Sequence, residues 1–305
     1  MPARKAKNRV RAVKTPRRTS QKKPARRRTA RQPLVGFIGA GNMARSLAGG
    51  LLKNGWARNR LILADPDSAQ RSAVEKVLKL KTYATNNDVA ARADILVLAV
   101  KPQVLRAAAL ELTQAVQRRR PLVISVAAGV RLADLERWLG GGLPVVRVMP
   151  NTAALIGSGA AGLYANPRVA PEQRNQAESI LRSVGVTVWL ADESLLDVVT
   201  AVSGSGPAYF FRVMEALERA AIAGGLDAAT ARLLTLETAF GAAKMALEGG
   251  EEPAVLRARV TSPGGTTEQA LGVLESGGIE TLFHQAVRAA TRRARELAEM
   301  FGKGA

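Results

Sequence analysis

From residue 33 onward the chain alternates short, wholly apolar runs with stretches whose apolar residues recur at helical intervals. Leu34 to Ile38, "RLILAD" (60–65), "ADILVLAV" (93–100) and "PLVISVAA" (121–128) are apolar at successive positions, the pattern of parallel strands buried on both faces. "PVVRVM" (144–149) predicts a sixth strand after the weaker "KTYATN" (81–86). Between them, "SAQRSAVEKVLKL" and "VLRAAALELTQAVQ" have helical spacing and charged faces. This alternation predicts a doubly wound α/β sheet of the Rossmann type. "GAAGLYANP" (159–167) and "GVTVWL" (185–190) are expected to add edge strands around the helix "PEQRNQAESILRSV".

From about Asp192 the strands stop. "ESLLDVVTAVS", "GPAYFFRVMEALERAAIAGGL", "DAATARLLTLETAFGAAKMALEG" and "GIETLFHQAVRAATRRARELAEMFG" all read as helices. Pro207 falls in a first turn, and Gly224-Gly225 and Gly249-Gly250 stand where helices close. The predicted division is a tail over 1–32, a dinucleotide-binding domain over 33–191 and an all-α dimerisation and substrate domain over 192–305. The helices are so apolar and alanine-rich that one chain has too little surface to cover them, which predicts a homo-oligomer built on a helical homodimer interface.

Composition narrows the chemistry. The chain has 305 residues, no cysteine and one histidine, His284. Disulfides, thiol nucleophiles, cysteine-ligated metals and HExxH zinc sites are therefore excluded, a Ser-His-Asp base is not expected, and no metal is expected. No apolar run reaches the roughly 20 residues of a membrane helix, and the N-terminus lacks a secretory signal's apolar middle. A soluble, cytoplasmic protein is expected. The net charge of +20 is concentrated at one end: residues 1–32 hold 14 of the 45 Lys/Arg and no acid, leaving 31 bases against 25 acids elsewhere. That tail has no hydrophobic period and predicts an unstructured extension; a run of this kind can also bind nucleic acid or an anionic membrane surface, or serve as a transit peptide.

The first strand leads into Gly39-Ala40-Gly41 and then a helical run, with Ala44 completing G-x-G-x-x-A. In a strand–turn–helix context the first glycine permits the turn, the second admits a pyrophosphate, and the small third residue lets helix and strand pack closely. The helix start presents N–H groups to the phosphates. Asp65 ends the second strand, 24 residues after Gly41, where an acid can accept from a ribose 2′-hydroxyl and favour NAD. Arg71 and the polar Asn86-Asn87-Asp88 can instead meet a 2′-phosphate, so NADH and NADPH both stay open.

Several further stretches now matter together. "GFIGAGNMA" (36–44), "AVKP" (99–102), "SVAAGV" (125–130), "RVMPNTAA" (147–154), "SGSGPAY" (203–209), "GAAKM" (241–245) and "VTSPGGTT" (260–267) make the chain from residue 33 resemble the pyrroline-5-carboxylate reductase family. The resemblance implies a Rossmann domain followed by a helical dimerisation domain, with the active site between them. It implies that Ile38, Gly39, Ala40, Gly41, Asn42 and Met43, with Ala99, Val100, Lys101 and Pro102, line the dinucleotide. It places Val126, Ala127 and Ala128 near the nicotinamide and Asn86 at the adenosine ribose or its phosphate. Glu193, Thr266 and Thr267 fall at substrate-contact positions. Ala153, Glu252 and Arg259 depart from residues common in the family and bear on cofactor preference.

The implied reaction is reduction of 1-pyrroline-5-carboxylate to L-proline by NADPH or NADH. Backbone N–H groups from Gly264 and Gly265 to Thr266, at a helix start, can hold the substrate carboxylate. The Thr267 hydroxyl can hydrogen-bond the ring nitrogen, and Ser262 can support the loop. Plain helix capping, with Glu268 in the first turn, explains the same residues without a ligand. His284, among apolar neighbours on a helix, reads as a core or interface residue. Two rivals stand beside this reading: a two-domain reductase of the 3-hydroxyacid dehydrogenase type, against which "SGSGPAYFFRVMEAL" offers no lysine, and a nucleic-acid-binding protein acting through the tail.

Overall fold

The computed structural model describes residues 32–303; the basic tail up to Arg31 lies outside the described residues. Eight strands form one sheet: β1 (Val35–Ile38), β2 (Leu61–Ala64), β3 (Lys81–Tyr83), β4 (Ile95–Leu98), β5 (Leu122–Ser125), β6 (Val145–Met149), β7 (Gly159–Ala165) and β8 (Gly185–Trp189). Their order is β3-β2-β1-β4-β5-β6-β7-β8. β1 to β6 pair in parallel, β7 runs antiparallel to β6, and β8 is parallel to β7. β7 therefore lies inside the sheet, and of the two expected edge strands only β8 is an edge.

The uninterrupted apolar runs have their reason in two cores, one on each face. Val35, Phe37, Ile95 and Val97 meet α1 (Asn42–Lys53) and α6 (Pro171–Arg182) on one side. Ile38, Leu96 and Leu98 meet α3 (Asn86–Ala90), α4 (Pro102–Arg119) and α5 (Leu132–Trp138) on the other. α2 (Ser68–Leu78) starts on Asp67, whose carboxylate accepts from the Ala69 N–H at 2.8 Å. β1 and β4 are neighbours although their connections leave in opposite directions, so their carboxyl ends open a crevice at the switch in strand order.

The second half is helical: α7 (Leu195–Val199), α8 (Gly206–Ala223), α9 (Ala228–Glu248), α10 (Pro253–Arg259), α11 (Thr266–Ser276) and α12 (Ile279–Lys303). The helix expected over 193–203 is not regular. α7 passes into a π-helical turn over Thr200–Gly204, closed by Ser205 N–H donating to Thr200 O at 2.8 Å. The hydroxyls of Thr200 and Ser203 donate to the carbonyls of Leu196 and Val199, and a side chain at Gly204 would strike Met149. Gly225 and Gly250, at φ +101° and +66°, close α8 and α9 as expected.

α12 returns to the sheet domain. Thr291, Ala294 and Ala298 are buried, Phe301 packs at Gly129, and Arg137 donates to Gly302 O at 3.0 Å. α8 and α9 behave differently. They pack against each other, yet α8 buries only Gly206, and α9 only Ala231 and Thr235. Phe210, Phe211, Leu233 and Phe240 are each at least 60% exposed, a large apolar surface for a chain to leave in water. No described helix is long and apolar enough to cross a membrane. Among the described residues no group of three or more His, Cys, Asp or Glu could hold a metal.

Candidate active site

The crevice is built from backbone first. Gly39 sits at φ +96°, donates to Ala64 O at 2.8 Å, and has no room for a side chain: a Cβ would lie 2.9 Å from Ala99 O. Only glycine holds that turn without strain. Gly41 is different. It is the N-cap of α1 with no side-chain cap, and a Cβ there would meet nothing within 4 Å. The first turn of α1 therefore presents uncapped N–H groups to open space, the arrangement that takes a phosphate.

Around this point lies a cleft of about 500 Å³ lined by Gly39, Gly41, Asp65, Pro66, Gln70 and Asn86, and by Ala99, Val100, Lys101, Val104, Ala107, Ala108 and Glu111. Its size suits a cofactor. Seven expected dinucleotide residues line it: Gly39, Gly41, Asp65, Asn86, Ala99, Val100 and Lys101. Ile38, Ala40 and Ala127 are buried and can offer only backbone, Met43 packs against the core, and Asn42 accepts from Arg45. Pro102 opens α4, while Val126 to Ala128 follow β5, with Val126 N–H donating to Leu98 O at 3.1 Å.

Four lining residues of α4 escape the motif reading. Val104, Ala107, Ala108 and Glu111 form one helical face beside the core face of Leu105, Ala109 and Leu112. The signal was the pair of small residues at one-turn spacing from Val104, which makes room for a ligand.

Asp65 does more than expected. Its Oδ2 accepts from the Ala40 N–H at 2.8 Å and its Oδ1 from the Asp67 N–H at 2.9 Å, so it braces the glycine turn as well as facing the cleft. Arg71 donates to Asp65 O and Pro66 O, at 2.8 and 2.9 Å, which pins it to the β2–α2 turn.

Glu193 lies at the junction of the two halves. Its Oε1 accepts from Leu132 N–H at 2.7 Å and from Arg147 Nη1 at 2.8 Å. Arg147 is buried in the middle of β6 and also lies 4.0 Å from Asp197. Burial pushes the Asp197 carboxyl above the ordinary carboxylate value, with Glu193 adding to the rise, against the opposing fields of Arg147, Arg295 and Arg131.

The glycine-threonine loop stands apart from the cleft. α11 makes its substantial contacts with α12, and none of the cleft's lining comes from it. Two expected donors are already used: Gly264 N–H donates to Glu268 at 2.7 Å, and Gly265 N–H to Ser262 O at 3.0 Å. The first-turn N–H groups of Thr266, Thr267 and Glu268 remain, and neither threonine hydroxyl makes a hydrogen bond among the described residues. His284 is exposed on α12 and not in a core.

Comparison with known proteins bears on both halves. Residues 193–297 match the family model described as pyrroline-5-carboxylate reductase dimerisation, and residues 34–129 the one described as NADP oxidoreductase, coenzyme F420-dependent. The chain is 48% identical to the pyrroline-5-carboxylate reductase of Pseudomonas aeruginosa over 89% of its own length and 99% of that protein's. It is 41% identical to that of Methanosarcina acetivorans, over 86% and 97%. The solved reductase of Coxiella burnetii superposes with a TM-score of 0.84 at 45% identity, covering 87% of this chain and 98% of that one. The Plasmodium falciparum enzyme, solved with NADP bound, superposes at 0.77 with 28% identity, over 87% and 98%.

Proposed function

The chain belongs to the pyrroline-5-carboxylate reductase family, and we propose from its geometry how it carries out that family's reaction, the NAD(P)H-dependent reduction of 1-pyrroline-5-carboxylate to L-proline. It is an oxidoreductase acting on a C=N bond. The observation that carries the reading is the uncapped, unobstructed start of α1 at Gly41, opening into a cleft of cofactor size. Neither the hydroxyacid-dehydrogenase reading nor the nucleic-acid reading finds support.

Each part of the chain has a distinct task. Gly39 to Gly41 and the start of α1 hold the pyrophosphate, while Ala99 to Pro102 and Val126 to Ala128, at the ends of β4 and β5, shape the nicotinamide end. The reduced cofactor, when bound, supplies a hydride to the imine carbon. No acid–base dyad is needed for this, because the protein's work is to align two rings and to hold the protonated imine. The N–H groups of Thr266 and Thr267 receive the substrate carboxylate at the positive end of α11. The Thr267 hydroxyl orients the ring nitrogen. Mixing the protein with pyrroline-5-carboxylate and reduced dinucleotide is expected to yield proline with matching loss of reduced-nicotinamide absorbance; absence of both overturns the reading.

Because α11 does not border the cleft within one chain, the site is completed in an oligomer. The exposed apolar faces of α8 and α9 support a homodimer, with substrate bound between the sheet domain (33–191) and the helical domain (192–305), and a cytoplasmic location fits. Thr267→Ala is expected to lower kcat/KM by about 10- to 100-fold, the weight of one hydrogen bond made at the reacting ring, while leaving dinucleotide affinity unchanged. Steady-state kinetics beside a binding titration checks this. Phe210→Glu combined with Phe240→Glu is expected to turn the oligomer into monomer in light scattering, and to abolish turnover without closing the cleft.

A further inference from the structure

We propose that this chain prefers NADH to NADPH, and that Asp65 together with Glu111 of α4 sets the preference. The inference rests on the reading that the cleft holds a nicotinamide dinucleotide. In a doubly wound fold the adenosine half lies on the β2 side of the glycine turn. Here that end is bounded by the β2–α2 turn, the start of α3 and the outer face of α4, and both carboxylates line it.

The two acids are held there by different contacts. Asp65 is fixed by the Ala40 and Asp67 N–H groups, yet its oxygens keep acceptor capacity for ribose hydroxyls. Glu111 accepts from Asn86 Nδ2 at 3.1 Å and Asn87 Nδ2 at 3.5 Å, taking amide hydrogens that a phosphate would otherwise receive. Ribose hydroxyls can donate to both acids. A 2′-phosphate brings only acceptors and about two negative charges.

The neighbouring cations are partly engaged within the protein. Lys101 lines the cleft from the α4 N-cap, at the β4 end. Arg71 is committed to the Asp65 and Pro66 carbonyls through Nη1. Arg45 Nη2 is shared between Asn42 Oδ1 and Gln70 Oε1, at 3.1 and 3.2 Å.

Dissociation constants for NADH and NADPH, titrated on the full-length protein by nicotinamide fluorescence, test the proposal without turnover. NADH is expected to bind at least about tenfold more tightly, the ratio given by some 1.4 kcal/mol of differential repulsion. Asp65→Asn with Glu111→Gln is expected to bring the ratio toward one, chiefly by tightening NADPH. Glu111→Gln alone, on an exposed helical face clear of the glycine turn, is expected to narrow it by a smaller factor. Equal or tighter NADPH binding by the unmodified protein overturns the proposal, as does a Glu111→Gln variant that shifts both constants alike. Failure to bind either dinucleotide overturns the cleft reading and this proposal together. Selective NADH binding without proline formation upholds the proposal and overturns the assigned reaction.

Discussion

Replacing Arg147 with methionine is expected to lower the stability of the folded chain by about 3 kcal/mol, the lower end of the cost of removing one partner from a buried ion pair. The lower end applies because Glu193, its nearer partner, is 26% exposed while Arg147 is only 5% exposed. The loss has two sources. Glu193 would keep its bond to Leu132 N–H but lose its counter-charge, and Asp197, already pushed toward its protonated form by burial, would lose the largest of its opposing fields.

The sign of the Asp197 effect follows from that direction. A raised carboxyl holds its proton to higher pH in the folded chain than in the unfolded one, so its contribution is present below the ordinary carboxylate value and is lost as pH rises through the raised value. Arg147→Met is therefore expected to be most damaging near neutral pH. Adding Glu193→Gln and Asp197→Asn to Arg147→Met is expected to recover part of the loss. Urea denaturation of the variants checks both, and a stability unchanged by Arg147→Met would contradict the account of the junction.

The other large effect is at Gly41. Gly41→Asp is expected to weaken dinucleotide binding by about a hundred- to thousandfold, since two charges about 4 Å apart at an effective dielectric near 20 repel by roughly 4 kcal/mol. The fold is expected to survive, because nothing lies within 4 Å of a Cβ at this position. Gly39→Ala makes the contrast: its side chain meets Ala99 O at 2.9 Å on a backbone at φ +96°, so it should damage stability and binding together. A Gly41→Asp protein that unfolds, or that binds dinucleotide normally, would reduce the turn to a packing element.

Much of the sheet was legible because buried parallel strands read as unbroken apolar runs, and β1, β2, β4 and β5 have no solvent face to interrupt them, whereas the edge strand β3, with Lys81 exposed, reads weakly. The glycine turn was legible because its spacing carries a mechanical requirement that the structure meets at Gly39. The π-helical turn was not: "VVTAVSG" has ordinary helical spacing, and what widens it is Met149 against Gly204 together with hydroxyl bonds to the preceding turn. Arg147 lies within the "RVMPNTAA" motif, but nothing local links it to an acid 46 residues later, so its role is not legible in the sequence. For the "SPGGTT" loop, the helix start could be read and the donors could not. Which N–H groups stay available depends on where the Glu268 and Ser262 acceptors fall.

This chain is expected to transfer hydrogen from a reduced nicotinamide ring to the imine carbon of 1-pyrroline-5-carboxylate. The direct measurement is mass spectrometry of proline formed from a reduced dinucleotide deuterated at its transferring ring position. The account predicts proline carrying one deuterium at the former imine carbon, from the unmodified protein and not from Gly41→Asp at matched cofactor. Unlabelled proline, or no proline at all, would contradict it.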